Sequence, residues 1–395
     1  MNPIFSKDFK NVWILSISGA LAGSIIPLMV LIGSLVGTDL APTVKLATAP
    51  VALMILGTAI SVVPISACLK KMGRKNTLWL FMAIGIAACG LAMVALQLKS
   101  FSLFCLTSLV MGSCNAAILQ TRFAGMESVA VEHSATAASM VMAGGIIAAF
   151  VGPELAVMGI SITAVDYQGS FLLGAVCIAL AALLLSPFKP STMVDVATAT
   201  SKTTLTALLS NPSFCLALAS GAVAYIIMSF VMTGTPISMH YFHGHSLLDT
   251  KWVIQSHIAA MFLPSFIAPI LFKLLNIRGM MLLGLLCYGA TILIGFSDTS
   301  VSGFWIQLVL LGVGWNFLFV AGTSLLPSTH KEDDRFKAQA INDFTVFSLQ
   351  AVAALSAGWV INLITWQQML LGCLPPMLIM LGILLWERSK NTASQ

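Results

Sequence analysis

LWLFMAIGIAACGLAMVAL, residues 78–96, decides the fold. The run carries no charge, and about 20 apolar residues span a bilayer. Phe171–Leu185 and Met280–Phe296 are built the same way. Over 395 residues the composition is 58% hydrophobic and only 8% charged, against about 25% charged in a soluble domain. No soluble fold of this length hides so much apolar surface, so lipid is the solvent. The first run, 12–37, is too long for a signal peptide's apolar region and reads as a retained span.

Working outward from 78–96, the hydropathy predicts twelve spans: 12–37, 46–69, 77–97, 102–122, 137–158, 169–187, 212–236, 250–272, 279–297, 302–326, 338–362 and 366–386. The expected fold is an all-α integral membrane protein of twelve transmembrane helices. The longest polar stretch, 188–211, is rich in Ser and Thr and carries Pro190. It reads as a cytoplasmic linker between two six-helix halves, 1–187 and 212–395. The halves echo each other at an offset of about 200 residues, as secondary transporters do: Lys70–Lys75 follows span two and Lys273–Gly279 follows span eight.

The net charge of +5 is a topology signal. With the N-terminus inside, sixteen of the nineteen basic residues fall on the cytoplasmic side, leaving Lys45, Lys99 and Lys251 outside. That asymmetry places both termini in the cytoplasm and removes nucleic acid as a partner. The expected setting is the plasma membrane, the inner membrane of a bacterium. The eight cysteines are scattered in or beside spans without a CxxC pair, which points to packing and to no disulfide or zinc site. His240, His243 and His245 lie on an outside loop and read as surface residues, not as metal ligands. No P-loop, HExxH or GxSxG is present, and no paired carboxylates share a span, so an ATP motor and a membrane enzyme are disfavoured. A sensor would carry a sizeable soluble domain, and no loop is long enough to hold one. No cofactor is expected.

Twelve spans in two halves, a long middle loop and the basic turn KKMGRK at 70–75 resemble the major facilitator superfamily over essentially the whole chain. Gly73, Arg74 and Lys75 match the family's Asp-Arg-x-Gly-Arg-Lys signature, Lys71 stands for its first Arg, and Lys70 stands where the family has Asp. The family's gating pair through that Asp is therefore not carried over. Gly144, Gly145, Gly152 and Pro153 resemble the Gly-Pro signature of the drug/proton antiporter branch, although its following paired glycines are absent. QTRFAG at 120–125, IQSHIAAMFLPSF at 254–266, GVGWNFLF at 312–319 and AQAINDF at 338–344 resemble stretches recurring among bacterial members. The resemblance implies a monomeric secondary active transporter that moves a small organic molecule by alternating access, coupled to protons, with lipid as its surroundings. The Gly-Pro stretch implies export by antiport. Proton-driven import of a metabolite or of a metal-chelating, siderophore-like compound is the alternative.

Of fourteen acidic residues, the predicted spans enclose Glu154 and Asp343. Intramembrane ionisable residues are functional by default. In AGGIIAAFVGPELA, 143–156, Glu154 follows Pro153 and lies roughly 25 Å along its span at about 1.5 Å per residue, towards the outer face. His257 lies roughly 10 Å into span eight by the same rise. Glu154 is read as the proton site with His257 as its neighbour. Asn115, Gln120, Tyr225, Gln255, Trp315 and Asn316 are candidates to line the substrate cavity, Trp315 beside Asn316 offering an aromatic face next to an amide. The expected cytoplasmic gate is Lys70 or Lys71 meeting Asp343 at the start of span eleven, with Gly73 shaping the turn and Arg74, Arg122, Glu127 and Glu132 forming a charged cluster.

Overall fold

The computed structural model describes residues 9–130, 133–189, 204–331 and 334–393. Glu132 and residues 190–203 of the linker lie outside the described residues. The chain forms two compact units, one of Met1–Asp195 with Ser246–Gln255, the other of Val196–His245 with Ser256–Gln395.

The helices of the N-terminal half are α1 (Lys10–Gly23), α2 (Ile25–Leu40), α3 (Ala49–Gln97), α4 (Phe101–Ile118), α5 (Thr121–Glu127), α6 (Ser134–Met158) and α7 (Gln168–Leu184). A short α8 (Leu205–Leu209) precedes α9 (Pro212–Ile237), α10 (Leu247–Phe262), α11 (Ala268–Ser297), α12 (Val301–Leu325), α13 (Arg335–Ile361), α14 (Trp366–Leu371) and α15 (Leu374–Ala393). Polar residues mark several starts. The Ser100 hydroxyl accepts from Leu103 N, Asn211 from Ser213 N ahead of Pro212, and Ser300 from Gly303 N, each satisfying a donor the helix cannot. Ser100 and Ser300 open the fourth and tenth spans, the same place in each half.

Nine helical stretches among the described residues are long and apolar enough to cross a membrane. One of them, Val44–Gln97, has 54 residues and turns at Gly73, so it supplies spans two and three. The 17-residue α7 supplies span six. Span eight is α10, a 3-10 turn at Leu263–Phe266, and the first turns of α11, which bends at Asn276 into span nine. The twelve spans are thus present, but four are interrupted. Span one breaks at Ser24, three residues before Pro27. Span four breaks at Leu119–Gln120, span eight beside Pro264, and span twelve at Gly372–Cys373, ahead of Pro375 and Pro376. Proline lacks the N–H that would continue the ladder and its ring crowds the preceding turn.

The two basic turns share one backbone device. Gly73 has φ 77° and Asn276 has φ 55°, both left-handed, about 200 residues apart. With ψ at 170° and 178°, both sit in a region that glycine alone enters freely. Asn276 also steadies its own turn, its Oδ1 accepting from Gly279 N at 3.0 Å.

Within lipid no hydrophobic drive pulls helices together, so small residues and interhelical hydrogen bonds hold them. In the first unit Gly152 of α6 lies so close to Ser24 that a Cβ there would sit 2.3 Å from its carbonyl oxygen. Ser18 Oγ donates to Ala181 O at 2.8 Å, joining α1 to α7. Phe104 and Phe171 meet edge to face at 5.6 Å. In the second unit Ser220 Oγ donates to Leu318 O, and the buried Tyr288 hydroxyl to Ala224 O. Leu183, Leu286 and Leu293 remain exposed on outward flanks, as lipid-facing side chains should.

Candidate functional site

The first candidate centre is the carboxylate of Glu154. α6 carries Phe150 and Glu154 on one face, and α10 brings Lys251 and Gln255, also four residues apart, to meet them. Lys251 Nζ lies 2.8 Å from Glu154 Oε1. Gln255 Nε2 donates to the same oxygen at 3.2 Å and to Phe150 O at 3.1 Å. The Lys251 side chain is 9% exposed and that of Glu154 44%. The lysine is therefore the desolvated partner and depends on the carboxylate for neutralisation. Trp252 adds its ring at 5.9 Å from the ammonium. Helix α10 is started by a reciprocal cap: Ser246 N donates to Asp249 Oδ2 and Asp249 N to Ser246 Oγ, at 3.2 and 3.1 Å. Sequence reasoning counted Lys251 only as an outside charge; its i,i+4 spacing to Gln255 was the available signal. Gly144 and Gly152 take α6 close to α1 and α2.

His257, two residues beyond Gln255, is fully buried in the second unit. Its Nδ1 meets Leu308 O at 2.8 Å, and its Nε2 has no hydrogen-bond partner. The carbonyl accepts only, so Nδ1 carries the proton and Nε2 presents a lone pair. Asn316 performs the mirror task from α12: its Nδ2 donates to Met261 O at 2.7 Å and to Ser265 Oγ at 2.6 Å. These bonds, with Trp305 Nε1 donating to Ser256 Oγ, lock α10 to α12.

The second candidate centre is aromatic and lies wholly within the second unit. Trp315 and Phe319, one turn apart on α12, stack with centroids 4.8 Å apart and planes at 16°. Tyr225 of α9 sets its edge against Trp315, Phe319 and Phe347 of α13, at 5.2, 5.5 and 5.7 Å. Phe262 of α10 approaches Trp315 at 6.4 Å. Trp315 is buried, yet its Nε1 donor has no hydrogen-bond partner, nor does Asn316 Oδ1. The sequence pointed to Tyr225, Trp315 and Asn316. Phe262, Phe319 and Phe347 were missed, because an aromatic residue in an apolar run reads equally as lipid-facing.

The remaining cavity candidates serve the first unit. Asn115 Nδ2 donates to Thr58 Oγ1 at 3.1 Å, tying α4 to α3, and its Oδ1 has no hydrogen-bond partner. Gln120 stands at the break between α4 and α5, its carbonyl accepting from Phe123 and Ala124.

At the basic turn of the first unit, the Arg74 guanidinium binds both oxygens of Glu127. The Lys75 ammonium donates to Ser186 O and lies over the Trp79 ring. Arg122 lies over Phe123. Lys70 and Lys71 are exposed. Asp343 accepts from Asn342 Nδ2 within the second unit. Helix α13 begins at Arg335, so Asp343 lies two turns inside it and not at its start. A dipole or capping role, confined to the first turn, does not apply to it.

The second unit answers the Arg74 turn with a pair whose carboxylate is buried and which the sequence did not single out. Arg278 donates from Nε and Nη2 to the two oxygens of Glu387 at 2.8 and 2.6 Å, and Ser213 Oγ donates to Oε1 at 3.1 Å. Glu387 is fully buried. It falls one residue beyond the predicted end of span twelve, but α15 continues to Ala393. Lys75 with Ser186 and Arg278 with Glu387 are equivalent pairings about 200 residues apart.

No family model matches the chain. It is 35% identical to the riboflavin transporter RfnT of Brucella anthropi over 361 residues, covering 91% of this chain and 90% of that one. It is 31% identical to YddS of Bacillus subtilis, described as an uncharacterized MFS-type transporter, over 91% of this chain and 86% of that one. Among solved structures it resembles a point mutant of the nucleoside transporter NupG, with TM-score 0.75 at 13% identity over 96% of this chain and all of that one. It also resembles a bacterial homologue of the lysosomal transporter Spinster, with TM-score 0.71 at 12% identity over 97% of each chain. Together with the fold, these relatives identify the chain as a transporter, not an enzyme, and it belongs to the major facilitator superfamily.

Proposed function

We propose that this transporter carries a flat heteroaromatic metabolite of the riboflavin class, with Glu154 as its proton site. The observation that carries the reading is the ring cluster of Tyr225, Trp315, Phe319 and Phe347, set beside unpartnered polar atoms of Trp315 and Asn316. Flat ring systems stack on aromatic faces, while a few convergent polar groups fix their orientation. A relative covering nine-tenths of the chain is named for riboflavin, whose tricyclic ring is flat and whose edge carries carbonyl acceptors and an N–H donor. The six-span halves, 1–187 and 212–395, joined by 188–211, would alternate access, with both termini in the cytoplasm of a bacterial cell. Lys70, Lys71 and Asp343 remain the proposed cytoplasmic gate.

Import by proton symport is the direction we favour. The Gly-Pro stretch that suggested export has a packing explanation of its own, since Gly152 is where α6 meets the backbone at Ser24 and Leu28. A relative named for a vitamin agrees better with uptake than with drug extrusion. The test is accumulation of radiolabelled riboflavin by the purified chain in proteoliposomes. Accumulation when the proton gradient points into the vesicle supports symport. Accumulation only when it points outward supports antiport, and no saturable transport in either case refutes the riboflavin reading.

A further inference from the structure

We infer that Lys251 is a positioning residue whose pairing with Glu154 makes proton arrival and release of the Ser246–Gln255 segment a single event. The inference rests on the reading of Glu154 as the proton site. The segment is held on α6 by two polar side chains that share one carboxylate oxygen, Lys251 at 2.8 Å and Gln255 at 3.2 Å. Gln255's second bond, to Phe150 O, is neutral and unaffected by charge on Glu154. The ionic bond is the one that a proton can cancel.

The step is balanced by one proton. It leaves water, forms an O–H bond on the Glu154 carboxylate, and the Lys251 Nζ–H···Oε1 bond breaks. Lys251 is then an ammonium in a 9% exposed site with no counter-charge. Breaking a buried pair by neutralising one partner is strongly unfavourable because it leaves the other charge uncompensated. The ammonium regains solvation only if Ser246–Gln255 leaves α6.

Among the described residues, no other charged group on the elements packed most closely on α6 pairs with Glu154 or Lys251. The elements packed on α6 are α1, α2, α5, α7 and the turn at Gly159–Ser161. Their charged residues are Lys10, Asp39, Arg122 and Glu127. Glu127 is engaged by Arg74, and Lys10 is the first residue of α1. Arg122 lies over Phe123, Asp39 is in the last turn of α2, and the Cys177 thiol of α7 faces Leu21 O. On α10 itself Asp249 caps Ser246, and His257 bonds Leu308 O.

The test reads the segment directly and needs no substrate. Spin labels are placed at Met158 of α6 and Leu248 of α10, both exposed, in a background whose eight free cysteines are replaced. The distance between them is measured in lipid nanodiscs at about pH 7 and about pH 3.5, the second below the ordinary glutamate value of about 4.3. The distance should lengthen at the lower pH in the parent chain and in Lys251→Arg. In Lys251→Gln, which has no ammonium to strand and keeps both Gln255 bonds, it should stay short at both values. A parent-like response in Lys251→Gln, or loss of the response in Lys251→Arg, overturns the role of Lys251 and leaves Glu154 standing. A parent-like response in Glu154→Gln overturns the proton site itself. A parent chain whose distance is the same at both values overturns the coupled release.

Discussion

Trp315 and Phe319 stack face to face at 4.8 Å, and Tyr225 closes on both with its edge. A ring pair of this kind contributes about 0.5–1.5 kcal/mol beyond the area it buries. Trp315→Ala removes both the stack and the indole donor, and a loss of about 1.4 kcal/mol raises the apparent KM for riboflavin about tenfold. Trp315→Phe keeps the stack and should recover most of that. Counterflow kinetics in proteoliposomes check both values.

Glu387 and Glu127 hold equivalent basic turns with opposite exposure. Glu387 is fully buried, whereas the Glu127 side chain is 51% exposed. Glu387→Ala leaves Ser213 without its acceptor and Arg278, whose side chain is 45% exposed, to solvent, so it should cost about 1.5–3 kcal/mol, the range for hydrogen bonds to a charged group. Glu127→Ala should cost about 0–1 kcal/mol. Thermal unfolding in detergent should show a large drop for the first and little for the second.

Gly73 and Asn276 hold the two left-handed turns. A Cβ at Gly73 would meet nothing within 4 Å, so any cost is in the backbone alone. Gly73→Ala should destabilise by about 1–3 kcal/mol, the cost of holding an L-residue in a region that only glycine enters freely. Asn276→Gly keeps the conformation and loses only the Asn276–Gly279 bond, so it should cost less. The same unfolding assay orders the two.

The topology has its own check. Phe242 and Leu274 are both exposed, at 52% and 74%, in loops that the charge asymmetry assigns to opposite sides. Cysteine at 242 should react with an impermeant maleimide in intact cells, and cysteine at 274 only after permeabilisation. The reverse pattern contradicts the orientation.

The spans were legible because lipid leaves a one-dimensional signature, as 78–96 shows, and the turn at Gly73 was legible because glycine and charge cluster there. The helix breaks at Ser24 and Leu119 were not, since they leave hydropathy unchanged. Lys251 was hidden by its place at a span end, where a basic residue reads as an anchor. Glu387 was hidden by a boundary drawn one residue short, and the depth of Asp343 by a helix that begins at Arg335. The rings of Phe319 and Phe347 meet Tyr225 only through tertiary packing, which no period within one helix encodes.

The central claim is that Glu154 couples protons to substrate. It is tested most directly by comparing Glu154→Gln with the parent chain in two assays on the same proteoliposomes: riboflavin counterflow without an ion gradient, and riboflavin accumulation driven by an imposed pH gradient. The account predicts that Glu154→Gln retains counterflow and loses gradient-driven accumulation. A Glu154→Gln protein that accumulates riboflavin as the parent does under the same proton gradient would contradict it.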